Sequence, residues 1–94
     1  MPNIEIHGMP QEGAEQVERE IFKLFSSELF LNDMVVTIFP TTVRNASGEK
    51  QPFLRVVTTE SLHTEIIISK LRKGFRHLAG IDIEHLRLEA FYPK

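Results

Sequence analysis

The chain has 94 residues, a formal net charge of −2 and no cysteine. That charge provides no overall basic field for nucleic acid or an anionic membrane. The lack of thiols excludes disulfides, thiolate nucleophiles and cysteine-bound zinc. No apolar run approaches the ~20 residues of a membrane span, and we expect a cytoplasmic protein. The length fits a single domain over residues 1–94.

The first element is predicted within the opening sequence MPNIEIHG. Residues Asn3–His7 alternate polar and apolar side chains, which is the two-residue period of a β-strand. Gly8 interrupts this pattern, and Pro10 prevents the strand from continuing inside a sheet. We therefore predict a strand that starts directly after Pro2 and ends at His7.

The next predicted element is an amphipathic helix. Glu12, Glu15 and Glu18 place negative charge in its first turns, which suits the positive end of the helix dipole. Asn32 and Asp33 end the predicted helix. Its apolar face follows a three- and four-residue spacing and consists of Ala14, Val17, Ile21, Leu24, Phe25 and Leu29.

Two strands and a polar turn are predicted in the middle of the chain. Residues 34–39 are rich in β-branched side chains and predict a buried strand. Residues 53–57 predict a returning strand. The Asn-Ala-Ser-Gly cluster at 45–48 is typical of a turn. Together these segments predict a hairpin with a long polar tip.

The second helix is predicted to begin near Thr59 or Ser61, both suitable N-caps, and to end at a C-cap at Gly80. Ile66 lies off its buried face, where it would meet something outside the monomer core. A last strand is predicted from Leu86 to Tyr92, where apolar and polar residues alternate. The buried face of the helix consists of Ile67, Leu71, Phe75 and Leu78.

The predicted order is a β-α-β unit followed by a second β-α-β unit. Such crossovers are right-handed in nearly all proteins and produce parallel strand pairs. We therefore predict an α+β domain in which a four-stranded mixed sheet carries two helices on one face. Two protein types share this order, the tautomerase/macrophage migration inhibitory factor type and the ferredoxin-like type. The order of elements leaves both open.

The start MPNIEIHG, with Pro2 directly after Met1, resembles the tautomerase/macrophage migration inhibitory factor superfamily, which includes 4-oxalocrotonate tautomerase. The stretch VTIFPTT…SGEKQPFLRVV is also similar to the middle hairpin of small uncharacterised bacterial members of that superfamily. The resemblance implies a homotrimer whose sheets pack around a central axis. It also implies a reaction without metal or organic cofactor, and a catalytic Pro2 whose nitrogen is freed by removal of Met1.

Pro2 is the candidate catalytic residue. An unperturbed α-amino group has a pKa of about 7.7–8.0, and apolar surroundings lower that pKa because they penalise the ammonium form. The neutral amine can then take a proton from the carbon next to a carbonyl and return it elsewhere. The alternative is structural, because proline suits a first strand position whose N–H would have no partner.

Four residues are candidates for holding a substrate. Arg87, Arg55 and Arg44 could each bind a carboxylate through two hydrogen bonds, and Tyr92 could donate from its hydroxyl. Proteins of this resemblance bring polar residues of the last strand toward a neighbouring subunit's proline, which favours Arg87. The alternative for each arginine is an exposed strand side chain, and for Tyr92 it is core or interface packing.

The remaining polar residues predict no further chemistry. His63 and His77 do not have the i, i+4 spacing of a helical zinc site, so no metal site is expected. A basic run on the second helix is interpreted as a solvated face that suits the helix C-terminus. The run consists of Lys70, Arg72, Lys73 and Arg76.

The resemblance is incomplete at the substrate-binding cations. The lysine and arginines of well-known members would fall on Leu29, Val36 and residues 9–11, and none of these is basic. Three hypotheses therefore stand. The first is a tautomerase that moves a proton between the enol and keto forms of a small 2-oxo acid, without nucleic-acid or membrane partners. The others are a non-catalytic trimeric binding protein of the same fold and a ferredoxin-like regulatory module.

Overall fold

The computed structural model describes residues 2–58, 61–74, 77–78, 81–82 and 87–91. Its two α-helices are Gln11–Leu24 (α1) and Ser61–Gly74 (α2), and a 3-10 helix spans Leu29–Asp33. Its strands are Asn3–His7 (β1), Val35–Phe39 (β2), Phe53–Val57 (β3), His77–Leu78 (β4), Ile81–Asp82 (β5) and Arg87–Phe91 (β6).

The main sheet has the strand order β2-β1-β3-β6. β1 pairs in parallel with β2, from Asn3 opposite Val35 to His7 opposite Phe39. β1 also pairs antiparallel with β3, and β3 pairs in parallel with β6. These neighbours confirm the α+β class, the mixed sheet and the parallel pairing within each β-α-β unit.

The predicted hairpin between β2 and β3 is wrong, because β1 lies between these two strands. The crossover through α1 brings β2 beside β1, where a β-α-β unit places its second strand. Only a small local hairpin forms in the connection, with Arg44 and Lys50 bridged across it. Gly48 in its turn has φ +83°, a left-handed conformation that glycine adopts without steric cost.

The strand order also decides between the two protein types that the sequence left open. A ferredoxin-like sheet is a split β-α-β arrangement, in which another strand separates the two strands of a unit. Here β1 and β2 are direct neighbours, and so are β3 and β6. The ferredoxin-like module is therefore contradicted by the sheet itself.

Helix α1 is shorter than predicted. Ala14, Val17 and Ile21 are buried as expected, but the helix ends at Leu24. Leu29, predicted on the apolar face, lies in the 3-10 helix and is 99% exposed. The sequence continues with two serines, which compete with helical hydrogen bonding, and the Glu28 N–H donates to the Phe25 carbonyl oxygen at 3.0 Å.

Helix α2 also ends early, at Gly74 rather than at Gly80. A Cβ at position 74 would meet the methyl groups of Leu24, so the end of α2 packs closely against the end of α1 at this glycine. Leu78, predicted on the helix face, lies in β4, which pairs with β5. The predicted Thr59, Phe75, Gly80 and Leu86 positions lie outside the described residues.

One hydrophobic core holds the helices to the sheet. The core combines strand residues with residues of both helices, so α1 and α2 cover the same face of the sheet. Val36 and Ile38 pack partly buried against it. Its members are Ile4, Ile6, Met9, Ala14, Val17, Ile21, Phe25, Met34, Leu54, Val56, Ile67 and Leu71.

The opposite side of the sheet is called here the open face, defined by Asn3, Glu5, His7, Val35, Thr37, Phe39, Phe53, Arg55 and Val57. These positions alternate with the core residues along β1, β2 and β3. β2 was predicted as a buried strand, and that prediction is wrong. It is a sheet edge whose Val35 and Phe39 are 40% and 36% exposed.

Candidate functional site

Pro2 lies buried at the start of β1, with less than 2% of its surface exposed. Its carbonyl oxygen accepts a hydrogen bond from the Val35 N–H at 2.9 Å, which continues the ladder between β1 and β2. When the pairings of β1 with β2 and with β3 are extended by one residue, Pro2 lies between Met34 on one side and Thr58 on the other. Both of these residues are buried. The position therefore combines burial between one apolar and one hydroxyl side chain with a fixed backbone.

Arg55 lies on the open face, away from Pro2 along the sheet. It pairs across strands with Glu5, which is three residues from Pro2 and hence about 10 Å along the strand. Its Nη1 lies 3.5 Å from Glu5 Oε1, and its guanidinium carbon lies 5.4 Å from the centre of the Phe53 ring. Within one chain, Arg55 is thus occupied on the sheet rather than directed to Pro2.

The other substrate-binding candidates are also remote from Pro2 in a single chain. Arg44 is exposed in the local hairpin beyond the His7 end of the sheet, and its Nη1 donates to the Gly48 carbonyl oxygen at 2.7 Å. Arg87 pairs with Phe53, which itself pairs with His7. Measured along the strand direction, the backbone of Arg87 is therefore roughly 16 Å from Pro2, which is about the length of β1. Tyr92 lies outside the described residues.

A ring stack crosses the open face and was not foreseen from the sequence. The His7 imidazole lies between Phe39 and Phe53, with ring centres 4.4 Å and 4.5 Å apart and planes within 4° of parallel. The three residues come from β2, β1 and β3 and are directly paired in the sheet. The two-residue alternation places them on one face, but only the strand order makes them neighbours.

A carboxylate joins this stack to the arginine. His7 Nε2 lies 2.8 Å from Glu5 Oε1, and the same oxygen approaches Arg55 Nη1. Both donors keep Glu5 in place, and the side chains of Glu5 and His7 are only 17% and 15% exposed. The contacts among Glu5, His7 and Arg55, together with the stacked Phe39 and Phe53 rings, hold the side chains of the open face in place, and neither described helix covers this face.

The basic run on α2 is only partly a solvated surface. Lys70 forms an ion pair with Glu28, and its ammonium lies 5.9 Å from the centre of the Phe25 ring. Arg72 and Lys73 are exposed as expected. Lys70 therefore ties α2 to the segment that follows α1.

A comparison with solved structures identifies the fold. The chain is similar to a macrophage migration inhibitory factor-like protein from Entamoeba histolytica, with a TM-score of 0.63. The match covers 98% of this chain and 86% of that protein at 14% sequence identity. The chain shares its fold. No protein-family model matches the sequence, and no curated protein matches it.

This likeness agrees with the adjacent parallel strands of each β-α-β unit. The finer similarity of the middle segment to small bacterial proteins stays a prediction. Within the described ranges, no helix is long and apolar enough to cross a membrane. In that same part of the chain, no group of three or more histidine, aspartate or glutamate side chains is arranged to hold a metal ion.

Proposed function

We propose that the chain is a cofactor-independent tautomerase that acts on a small 2-oxo acid, with Pro2 as the proton-transferring base once Met1 is removed. The observation that carries this proposal is the buried Pro2 at the start of β1, on a fold shared with a macrophage migration inhibitory factor-like protein. A cytoplasmic location, one domain over residues 1–94 and a reaction without cofactor remain predictions of the sequence.

Burial supports the chemistry in a specific way. Burial between Met34 and Thr58 would remove water from a freed Pro2 amine, and loss of water disfavours the ammonium form. A neutral amine near pH 7 can accept the proton of the carbon next to a carbonyl. In the ketonising direction, neutral Pro2 takes the proton of the enol oxygen and delivers that proton to the carbon. The reaction is a net isomerisation.

The substrate carboxylate would be held by residues of another subunit. In one chain, Arg44 and Arg87 lie at the end of the sheet opposite Pro2, so neither of these two arginines completes the site of its own chain. We propose a homotrimer in which Pro2 of one chain faces Arg87 of the next, with Arg55, Arg44 and Tyr92 as further candidates. A guanidinium fork would bind the carboxylate and stabilise the developing enolate.

The first experiment measures ketonisation of phenylenolpyruvate by protein whose mass proves that Met1 is absent. A Met1-retaining sample is the matched control, because its Pro2 nitrogen is an amide without a basic lone pair. We expect activity only in the processed protein, and a 10²–10⁴-fold loss, roughly the contribution of a general base, in Pro2→Ala. Full activity in Pro2→Ala would refute the mechanism.

A mixing experiment tests whether the site is shared between chains. Pro2→Ala and Arg87→Ala are each expected to be inactive, and trimers reassembled from both should regain part of the activity. Mixed trimers contain interfaces where one chain supplies Pro2 and its neighbour supplies Arg87. No recovery, although mass analysis proves mixed trimers, would place both residues in one chain or exclude Arg87.

The second candidate is a non-catalytic trimeric binding protein of the same fold. It is favoured by the geometry around Pro2, since each described arginine named above is remote from Pro2 or engaged elsewhere in its own chain. This candidate predicts an intact trimer without proton-transfer activity even after Met1 is removed. The two functions therefore give opposite results in the first experiment.

A further inference from the structure

A cavity of about 260 Å³ opens at the end of the sheet opposite Pro2. Three segments line it: the turn after β1 at 8–10, the segment after β2 at 40–42, and Lys50 of the local hairpin. β1 and β2 are parallel, so both of their carboxyl ends lead into it. In open sheets with parallel strands, ligands preferentially bind outside these ends.

The turn after β1 is fixed by close packing. Gly8 has φ +81°, and a Cβ there would lie 3.1 Å from the Pro52 Cα and 3.2 Å from the Val43 Cγ2. The two stems of the local hairpin therefore press directly on the turn. They are joined to each other by the Gln51 N–H, which donates to the Val43 carbonyl oxygen at 2.7 Å.

The hairpin tip that carries Lys50 is ordered by its own hydrogen bonds. Asn45 Oδ1 accepts from the backbone N–H groups of Ser47 and Glu49, each at 3.0 Å. Arg44 Nη1 donates to the Gly48 carbonyl oxygen, and the backbone bridge from Arg44 to Lys50 closes the hairpin. The walls of the cavity are thus held before any ligand arrives, which lowers the entropic cost of binding.

The lining combines one cation with hydroxyls and apolar surface. Among the described residues, none forms an ion pair with the Lys50 ammonium. Thr41 and Thr42 supply hydroxyl groups, and the exposed prolines of the two turns, Pro10 and Pro40, supply apolar surface. An ammonium next to hydroxyls suits an anionic head group, while the apolar walls suit a carbon skeleton.

We propose that this cavity binds a small organic carboxylate, with its carboxylate group at Lys50 and its apolar part against Pro10 and Pro40. The volume is several times the ~30 Å³ that one water molecule occupies in the liquid, which leaves room for a small organic anion. Benzoate, a carboxylate with one apolar ring, is the probe of choice. The site is independent of Pro2, which lies at the other end of β1.

The test is a titration of ¹⁵N-labelled protein with sodium benzoate at constant ionic strength, followed by amide chemical shifts. We expect saturable shifts at Gly8, Met9, Thr41 and Thr42. Lys50→Gln should raise the Kd at least about tenfold, because a charge-assisted hydrogen bond is lost. Thr42→Val, which removes a hydroxyl at nearly constant volume, should raise the Kd by a smaller factor.

Lys23→Gln is the matched control, since Lys23 is 74% exposed on α1 and pairs with Glu20; its Kd should equal that of the parent chain. Equal affinities of Lys50→Gln and Lys23→Gln would overturn the proposal, as would shifts confined to other regions. A parallel titration with inorganic phosphate separates the anion classes: phosphate binding without benzoate binding would also overturn it. Pro2→Ala should bind benzoate unchanged, so failure of the tautomerase proposal leaves this one intact.

Discussion

The two faces of the main sheet are made from alternating residues of the same strands, yet they are stabilised differently. Toward the helices, Ile4, Ile6, Leu54 and Val56 are fully buried in one apolar core. On the open face, the Phe39–His7–Phe53 stack and the Glu5–Arg55 contact replace a covering layer. Burial of apolar surface therefore holds the chain in its fold, while directional contacts shape the face that the two described helices leave uncovered.

The largest effect is expected from the helix-covered face. Ile6→Ala removes a fully buried side chain from the centre of the core, and we expect the free energy of unfolding to fall by about 2–5 kcal/mol. Urea denaturation measures this loss. If the variant does not fold, Ile6→Val should still lose about 0.5–1.5 kcal/mol. A loss of less than about 0.5 kcal/mol in both variants would show that Ile6 is not tightly packed in the core.

Phe39→Ala tests the open face and should have an intermediate effect. Phe39 stacks on His7 but remains 36% exposed at the sheet edge. With the proposed trimer, removal of this ring should weaken association by about 1–2 kcal/mol, the range of an interface aromatic residue. Sedimentation velocity should show dissociation at a roughly ten-fold higher protein concentration. If the dissociation profile is unchanged, Phe39 makes contacts only within its own chain and does not contribute to association.

Arg55→Gln should have the smallest effect. The Arg55 side chain is 36% exposed and lies 3.5 Å from Glu5, and such ion pairs contribute about 0–1 kcal/mol. The loss should shrink further in 1 M salt, where charges are screened within about 3 Å. Denaturation of both proteins in low and high salt measures it. A loss above 2 kcal/mol that persists in high salt would mean that Arg55 acts through packing on Phe53.

Much of the fold could be predicted because its signals are local. The alternation in Asn3–His7 predicted β1 and assigned its residues to two faces, and β3 was placed at its observed bounds, 53–57. The spacing of Ala14, Val17 and Ile21 predicted the buried face of α1. The prediction that Leu29 belongs to this face was wrong, because Leu29 matches the helical spacing although the helix has already ended.

The position of β1 between β2 and β3 could not be predicted in the same way. A turn-rich segment between two apolar segments favours a hairpin, and nothing in residues 40–52 indicates that β1 separates β2 from β3. The His7 stack depends on this three-strand register. Pro2 could be singled out by its place in the sequence, whereas its relation to the arginines depends on registers across strands and chains. Its catalytic role stays a prediction.

The cavity at Lys50 was missed for a related reason, because its three segments are far apart in the chain. One signal could have indicated it. Gly8 and Pro10 follow β1, and Pro40 follows β2. Turn residues directly after two parallel strands mark the sheet end where ligands tend to bind. The parallel pairing of β1 and β2 was predicted, but nothing in the sequence indicates that Lys50 joins these two turns.

The central place of β1 in the sheet has a consequence for how the chain is made. β1 is synthesised before both of its partners, and its pairing is complete only after Phe39 and then Val57 have left the ribosome. Until then, Ile4 and Ile6 lie on a segment whose backbone N–H and C=O groups can pair with another nascent chain. The growing polypeptide is therefore prone to aggregation in the interval between the emergence of β1 and that of β3.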